Sequence, residues 1–223
     1  SLTSDTDNQQ LWRIAILNET NSRGGSASLH RLKIGDTVIV RYPRNNFRLK
    51  PAKAYHFFAS GIGITPILSM INQVRKQGLP WRLDYVGRER STLAYLDQLA
   101  GMPEVNVYFT SESGRPNFSQ LISRMNGASI YACGSKSFLL DLEAVANEAR
   151  LDFHTEWFVP RPGARQGSEG SFETFSVKLK RSNIEVTVLP GQSIIDACAE
   201  AGVLIPASCF EGTCGSCLSK VIE

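Results

Sequence analysis

Apolar positions along the chain follow three successive patterns. Residues 11–17 (LWRIAIL) and 36–42 (DTVIVRY) are short runs rich in β-branched side chains, which suit a pleated surface. They predict strands on either side of a Gly- and Ser-rich turn, NSRGGSAS. From Lys53 the character changes: AYHFFAS predicts a short apolar strand, GIGITP a glycine-rich turn, and ILSMINQVRKQG an amphipathic helix closed by Gly78. The unit recurs without sequence repetition. WRLDYVG, VNVYFTS and ASIYACG read as strands, and TLAYLDQLAG, FSQLISRM and SFLLDLEAVANEA as the helices that follow them. Such alternation implies a parallel sheet with helices on both faces.

A third pattern follows RPGARQGSEGS at 161–171, which lacks aliphatic residues and reads as an interdomain linker. FSVKLKRSNIEVTVLPG is a pair of alternating strands around a polar turn, and SIIDACAEAGV a helix closed by Gly202. The expected architecture is multidomain: an all-β opening over 1–52, an α/β domain over 53–160, the linker 161–171, and an α+β domain over 172–223. Ser1 begins directly on strand-like material and the chain stops soon after a cysteine loop, so both ends read as cut.

A length of 223 residues, 42% hydrophobic, exceeds one typical domain. The 24 Lys plus Arg against 21 Asp plus Glu leave a net charge of +3, too small and dispersed for a nucleic-acid footprint. No apolar run approaches the roughly 18 residues that span a bilayer, and SLTSDTDNQQ has no signal-peptide character. A cytoplasmic monomer with neither a nucleic-acid nor a membrane partner is expected.

The five cysteines lie at 133, 198, 209, 214 and 217, three of them within nine residues. A disulfide framework would be spread differently, so the cluster points to metal ligation by free thiols in a reducing compartment. Cys209, Cys214 and Cys217 form C-x4-C-x2-C, the plant-type iron–sulfur spacing, in which soft thiolates hold the iron. Gly212 and Gly215 let the backbone approach and aim amides at sulfur. A zinc knuckle or free buried thiols is the competing reading. Cys198, inside an apolar helix, reads as core packing. LPGQSIIDACAEAGVLIPASCFEGTCGSC resembles the strand, helix and cluster loop of plant-type [2Fe–2S] ferredoxins, whose fourth cysteine lies well downstream and is absent here.

In the α/β segment, Gly61-Ile62-Gly63-Ile64-Thr65-Pro66 follows a strand and opens a helix, where backbone amides and the helix dipole can receive a diphosphate. Pro66 suits the first helical position. A tight structural turn is the plainer alternative. Cys133-Gly134 ends a strand on the edge where parallel sheets bind ligands. Together GIGITP and CGSKSFLLD resemble the NAD(P)-binding half of the ferredoxin–NADP reductase superfamily, over about 53–158. The resemblance implies that Gly63 and Thr65 meet the diphosphate, and that Cys133 and Gly134 lie beside the nicotinamide. In that superfamily the domain ends on a Glu-x-aromatic element, here Glu156-Trp157-Phe158. Phe158 matches the position whose ring covers the flavin, with Trp157 as an extra candidate. Arg88 and Arg90 either clamp an adenosine phosphate or are simply solvated. The sequence resembles NADH-using members more than NADPH-using ones.

Ser22-Arg23-Gly24-Gly25-Ser26, between the first two expected strands, is either an ordinary turn or an anion nest. SLTS, RGGS and LKIGDTVIVRYPRNNFRL resemble the flavin barrel of the phthalate dioxygenase reductase family. The implied fold is an antiparallel β-barrel for flavin (partial, 1–52), a parallel-sheet nucleotide domain and a ferredoxin β-grasp domain (partial). The resemblance further implies that Ser1 and Leu2 touch the isoalloxazine edge, with Ser1 near its reactive nitrogen. It also implies that Arg23, Gly24, Gly25 and Ser26 bind the FMN phosphate, and that Cys133 and Glu156 position the nicotinamide. The expected function is the reductase component of a Rieske-type oxygenase system. It would pass electrons from NADH through FMN to a [2Fe–2S] cluster and on to a terminal oxygenase. The alternative is a stand-alone NAD(P)H flavin reductase or diaphorase whose ferredoxin domain serves for docking.

Overall fold

The computed structural model describes residues 1–4, 10–40, 43–161 and 173–222, and forms two compact units, Ser1–Trp157 and Phe158–Glu223. The first is built on strands β1 (Tyr55–Ser60), β2 (Trp81–Gly87), β3 (Val105–Phe109), β4 (Ser129–Cys133) and β5 (Phe153–Glu156). They pair in parallel in the order β3-β2-β1-β4-β5. The apolar runs are nearly continuous because both faces are covered. On one face Tyr55, Phe57, Ala59, Leu83 and Tyr85 pack against Ile64, Ile67, Ile71 and Val74 of α2 (Ile64–Lys76). On the other, Phe58, Val86, Ile130 and Ala132 meet Phe118 and Leu121 of α5 (Phe118–Ile122) and Leu139 and Leu142 of α6 (Lys136–Glu148).

Two elements differ from expectation here. The helix expected over TLAYLDQLAG shrinks to α3 (Leu96–Leu99), because Tyr95 before it is in the left-handed region at φ 64, which ends a helix rather than continuing it. β5 was not anticipated from FHTE, a four-residue edge strand with polar positions. A short helix α4 (Thr110–Ser113) follows β3 directly.

The opening departs more. Among the described residues 11–17 and 36–40 form no strand, only one antiparallel bridge joins Leu2 to Ile14, and NSRGGSAS carries the helix α1 (Gly25–His30). Strand propensity needs a neighbouring ladder, and among the described residues none faces these runs, so Ile39 is fully exposed. Positions 41–42 lie outside the described residues, as does the expected linker apart from Arg161. Residues 47–52 instead join the nucleotide-fold core. Phe47 is buried against Tyr131, and the Lys50 amide donates to the Tyr131 hydroxyl at 2.8 Å.

The second unit holds an antiparallel hairpin, β6 (Phe175–Leu179) with β7 (Ile184–Val188), and the helix α7 (Ile194–Glu200). Its core contains Val186, Val188, Ala197 and Cys198, which places Cys198 in packing. Among the described residues no helix is long and apolar enough to cross a membrane.

Candidate functional site

Strand order reverses between β1 and β4, so their carboxyl ends open the crevice in which doubly wound sheets bind ligands. β1 runs into a 3₁₀ turn, Gly61–Gly63, and then α2. The two glycines serve different needs. Gly61 sits at φ +53 with open space around it, whereas a Cβ on Gly63 would lie 2.2 Å from the Cys133 carbonyl oxygen. The turn therefore lies flat against the end of β4. Gly134 is equally close, its missing Cβ 2.6 Å from that of Ser60. The Tyr85 hydroxyl holds the turn by donating to the Gly61 carbonyl at 2.9 Å; burial raises its pKa.

Thr65 is buried, and its hydroxyl donates to the Ile62 carbonyl at 3.0 Å, so that proton braces the turn. Because the 3₁₀ turn starts the helix early, Pro66 is the third residue of α2 rather than its first. It still falls in the first turn, where an amide has no intrahelical acceptor.

Cys133 and Glu156 are register partners on β4 and β5. Cys133 is fully buried; burial raises its thiol pKa, and the Glu156 charge adds to the rise. Burial also raises the Glu156 carboxyl, whose Oε2 is enclosed with no hydrogen-bond partner among the described residues. A neutral thiol and a poorly solvated carboxyl thus border the crevice. Trp157 packs on the α5–α6 face, and Phe158 is 41% exposed.

Arg88 and Arg90 leave the carboxyl end of β2 exposed. Arg90 lies over the Phe109 ring, 5.7 Å from its centre. The Arg88 carbonyl accepts from the Ser111 amide at 3.0 Å and its hydroxyl at 2.6 Å. The exits of β2 and β3 are thereby tied together. Ser111 was not a sequence candidate, and nothing in its spacing marked it. In the Ser22–Ser26 loop, the Ser22 hydroxyl accepts from the Gly24 amide (3.1 Å), the Ala27 amide (3.3 Å) and the Ser26 hydroxyl (2.9 Å). Gly24 adopts φ +108, while Arg23 and Gly25 are exposed.

In the second unit, Phe210, Gly212 and Gly215 all take positive φ, curling the loop around its sulfurs. The Glu211 and Cys214 amides each donate to Cys209 Sγ at 3.4 Å. Burial pushes the Cys209 thiol up, but hydrogen bonds from Thr213, Cys214 and Glu211 outweigh it and bring the pKa down to about 6. Cys214 Sγ lies 2.9 Å from the Ser216 hydroxyl, and Cys217 is half-buried. Among the described residues no three potential ligands converge on a single ion. A two-iron cluster spreads its thiolates over two metals, and amides aimed at a sulfur favour thiolate, so these residues fit [2Fe–2S].

Fold and site together define a nucleotide-binding electron-transfer protein joined to an iron–sulfur domain. Residues 177–223 match the model of the 2Fe-2S iron-sulfur cluster binding domain. Over its whole length the chain is 35% identical to the phenoxybenzoate dioxygenase subunit beta of Ectopseudomonas oleovorans and covers 70% of it. Among solved structures, an intact type IV self-sufficient cytochrome P450 monooxygenase superposes with TM-score 0.84 at 36% identity, over 97% of this chain and 29% of that one. Phthalate dioxygenase reductase, described as modular for electron transfer from pyridine nucleotides to [2Fe–2S], gives 0.74 at 31%, over 97% and 70%. The chain belongs to the phthalate dioxygenase reductase family, oxidoreductases that include the reductase subunits of oxygenase systems.

Proposed function

We propose that the chain is the electron-transfer part of an oxygenase reductase, cytoplasmic and monomeric, that takes electrons from NADH and delivers them to a terminal oxygenase. The observation that carries the proposal is the coexistence, on one polypeptide, of the crevice at the β1/β4 switch point and the amide-lined C-x4-C-x2-C loop. Residues 1–52 are proposed as part of a flavin barrel, 53–160 as the nucleotide domain, 161–171 as the linker and 172–223 as the ferredoxin domain.

When bound, FMN supplies the conversion of a two-electron hydride into single electrons for the [2Fe–2S] cluster. The protein's share is positioning. The Gly61–Gly63 turn and the first turn of α2 receive the diphosphate, with Arg88 and Arg90 near the adenosine end. Cys133, Gly134 and Glu156 seat the nicotinamide, with Cys133 neutral and keeping water out. Ser1 and Leu2 border the flavin, Arg23 and Ser26 serve its phosphate, and Phe158 covers its face until nicotinamide displaces it. Cys209, Cys214 and Cys217 hold the cluster. The exposed rim of that loop, with Phe210 61% exposed, is the proposed exit toward the oxygenase.

Anaerobic addition of NADH to the complete flavin-loaded protein is expected to bleach the flavin and yield the paramagnetic signal of a reduced [2Fe–2S] cluster. Bleaching with full transfer to free acceptors, undiminished in Cys209→Ser, would instead describe a diaphorase.

A further inference from the structure

The Ser1–Ser4 segment has little local support. Among the described residues it pairs locally through the isolated Leu2–Ile14 bridge, with the Thr3 amide donating to the Arg13 carbonyl at 2.8 Å, the Thr3 hydroxyl to the same oxygen at 3.2 Å and the Arg13 amide to the Ser4 hydroxyl at 3.2 Å. What fixes it to the sheet comes from two distant residues. Ser69, in the interior of α2, donates its hydroxyl to the Leu2 carbonyl. A serine inside a helix ordinarily bonds the carbonyl one turn back, which costs the helix little; here the hydroxyl is turned outward to another segment. Tyr95 brings its hydroxyl to 2.9 Å from the Thr3 hydroxyl, from a residue held at φ 64, where non-glycine residues are uncommon. Ser69 lies one turn beyond Thr65 on the helix that opens at the glycine turn. Tyr95 caps α3 just after the β2 exit that carries Arg88 and Arg90.

We infer that Ser69 and Tyr95 are positioning residues: two hydroxyls of the nucleotide fold that clamp Leu2 and Thr3 and so set where the Ser1 edge stands relative to α2, whose glycine turn lies against Cys133. The inference rests on the proposed function, in which that edge borders the flavin and the Cys133–Glu156 side seats the nicotinamide. Hydride transfer needs the nicotinamide carbon and the reactive flavin nitrogen about 3–3.5 Å apart, so loosening the edge by a fraction of an ångström lowers the rate without removing either binding surface.

The test compares Ser69→Ala, Tyr95→Phe and Ser69→Thr in the complete flavin-loaded protein. Both hydroxyl deletions are expected to slow flavin reduction by NADH roughly tenfold, with KM for NADH and FMN affinity each within about twofold of wild type, since neither residue is among those proposed to hold the ligands. Amide exchange at Thr3, followed also without flavin, is expected to quicken in both, while exchange in β1 and β4 stays unchanged. Ser69→Thr, which keeps the hydroxyl, is expected to restore both readouts. Unchanged reduction and Thr3 exchange in both deletions would overturn the inference, as would a loss matched by faster exchange throughout the sheet. A wild-type protein that NADH does not reduce would sink the proposed function instead, and Thr3 exchange would still decide whether the clamp exists.

Discussion

At Gly63 a methyl group would occupy the space of the Cys133 carbonyl, and the atoms in its way are backbone, which cannot swing aside. Gly63→Ala is therefore expected to lower stability by about 1–3 kcal/mol and to weaken NADH binding more than flavin binding, as thermal melts and ligand titrations would report. The sequence marked Gly63 as a turn residue, but its neighbour is 70 positions away and only the sheet reveals it. Glu156 was marked by its place before Trp157-Phe158; its burial, and so its raised pKa, had no local signal. A raised carboxyl pKa means that the folded state favours the proton. Its stabilising contribution is thus complete below the ordinary carboxylate range and is lost as pH rises through the raised value. Glu156→Gln is accordingly expected to melt like wild type at pH 4 and at a higher temperature at pH 8. A lower melting temperature at pH 8 would contradict the burial argument.

Between elements, the sheet carries a polar crosspiece that hydropathy could not show. His56 Nε2 on β1 lies 2.6 Å from Asp84 Oδ2 on β2, both fully buried. The Tyr108 hydroxyl on β3 donates to Asp84 Oδ1 at 2.9 Å, and Arg124 donates to Tyr108. Removing His56 leaves the buried Asp84 with only the Tyr108 hydroxyl and Arg82, whose Nε lies 3.7 Å away, so His56→Leu is expected to cost about 3 kcal/mol in denaturant unfolding, while Tyr108→Phe costs about 1 kcal/mol. The strands β1, β2 and β4 were legible because a parallel sheet buried on both faces turns into unbroken apolar runs such as YHFFAS and SIYAC. α3 was overestimated and β5 missed for the converse reason, since a left-handed Tyr95 and a short polar edge leave no periodic trace. Residues 11–17 read as a strand from composition alone, and composition cannot supply the neighbouring ladder.

For the molecule as a whole, the cysteine spacing was the most legible feature, because a cluster loop is specified by local sequence. The succession of an α/β segment by a strand pair and helix was legible for the same reason, and the structure has both. What the sequence left hidden was how the opening residues reach the nucleotide fold, through Tyr131, Ser69 and Tyr95, contacts that span 67 to 92 positions. The central claim is that electrons from NADH pass between centres on one polypeptide. The most direct measurement is rapid-freeze paramagnetic resonance of the complete protein after anaerobic mixing with NADH, repeated across a tenfold range of protein concentration. The account predicts a reduced-cluster signal of about one spin per chain that follows flavin bleaching at a rate independent of protein concentration. A rate that scales with protein concentration, or a bleached flavin with no cluster signal, would contradict it.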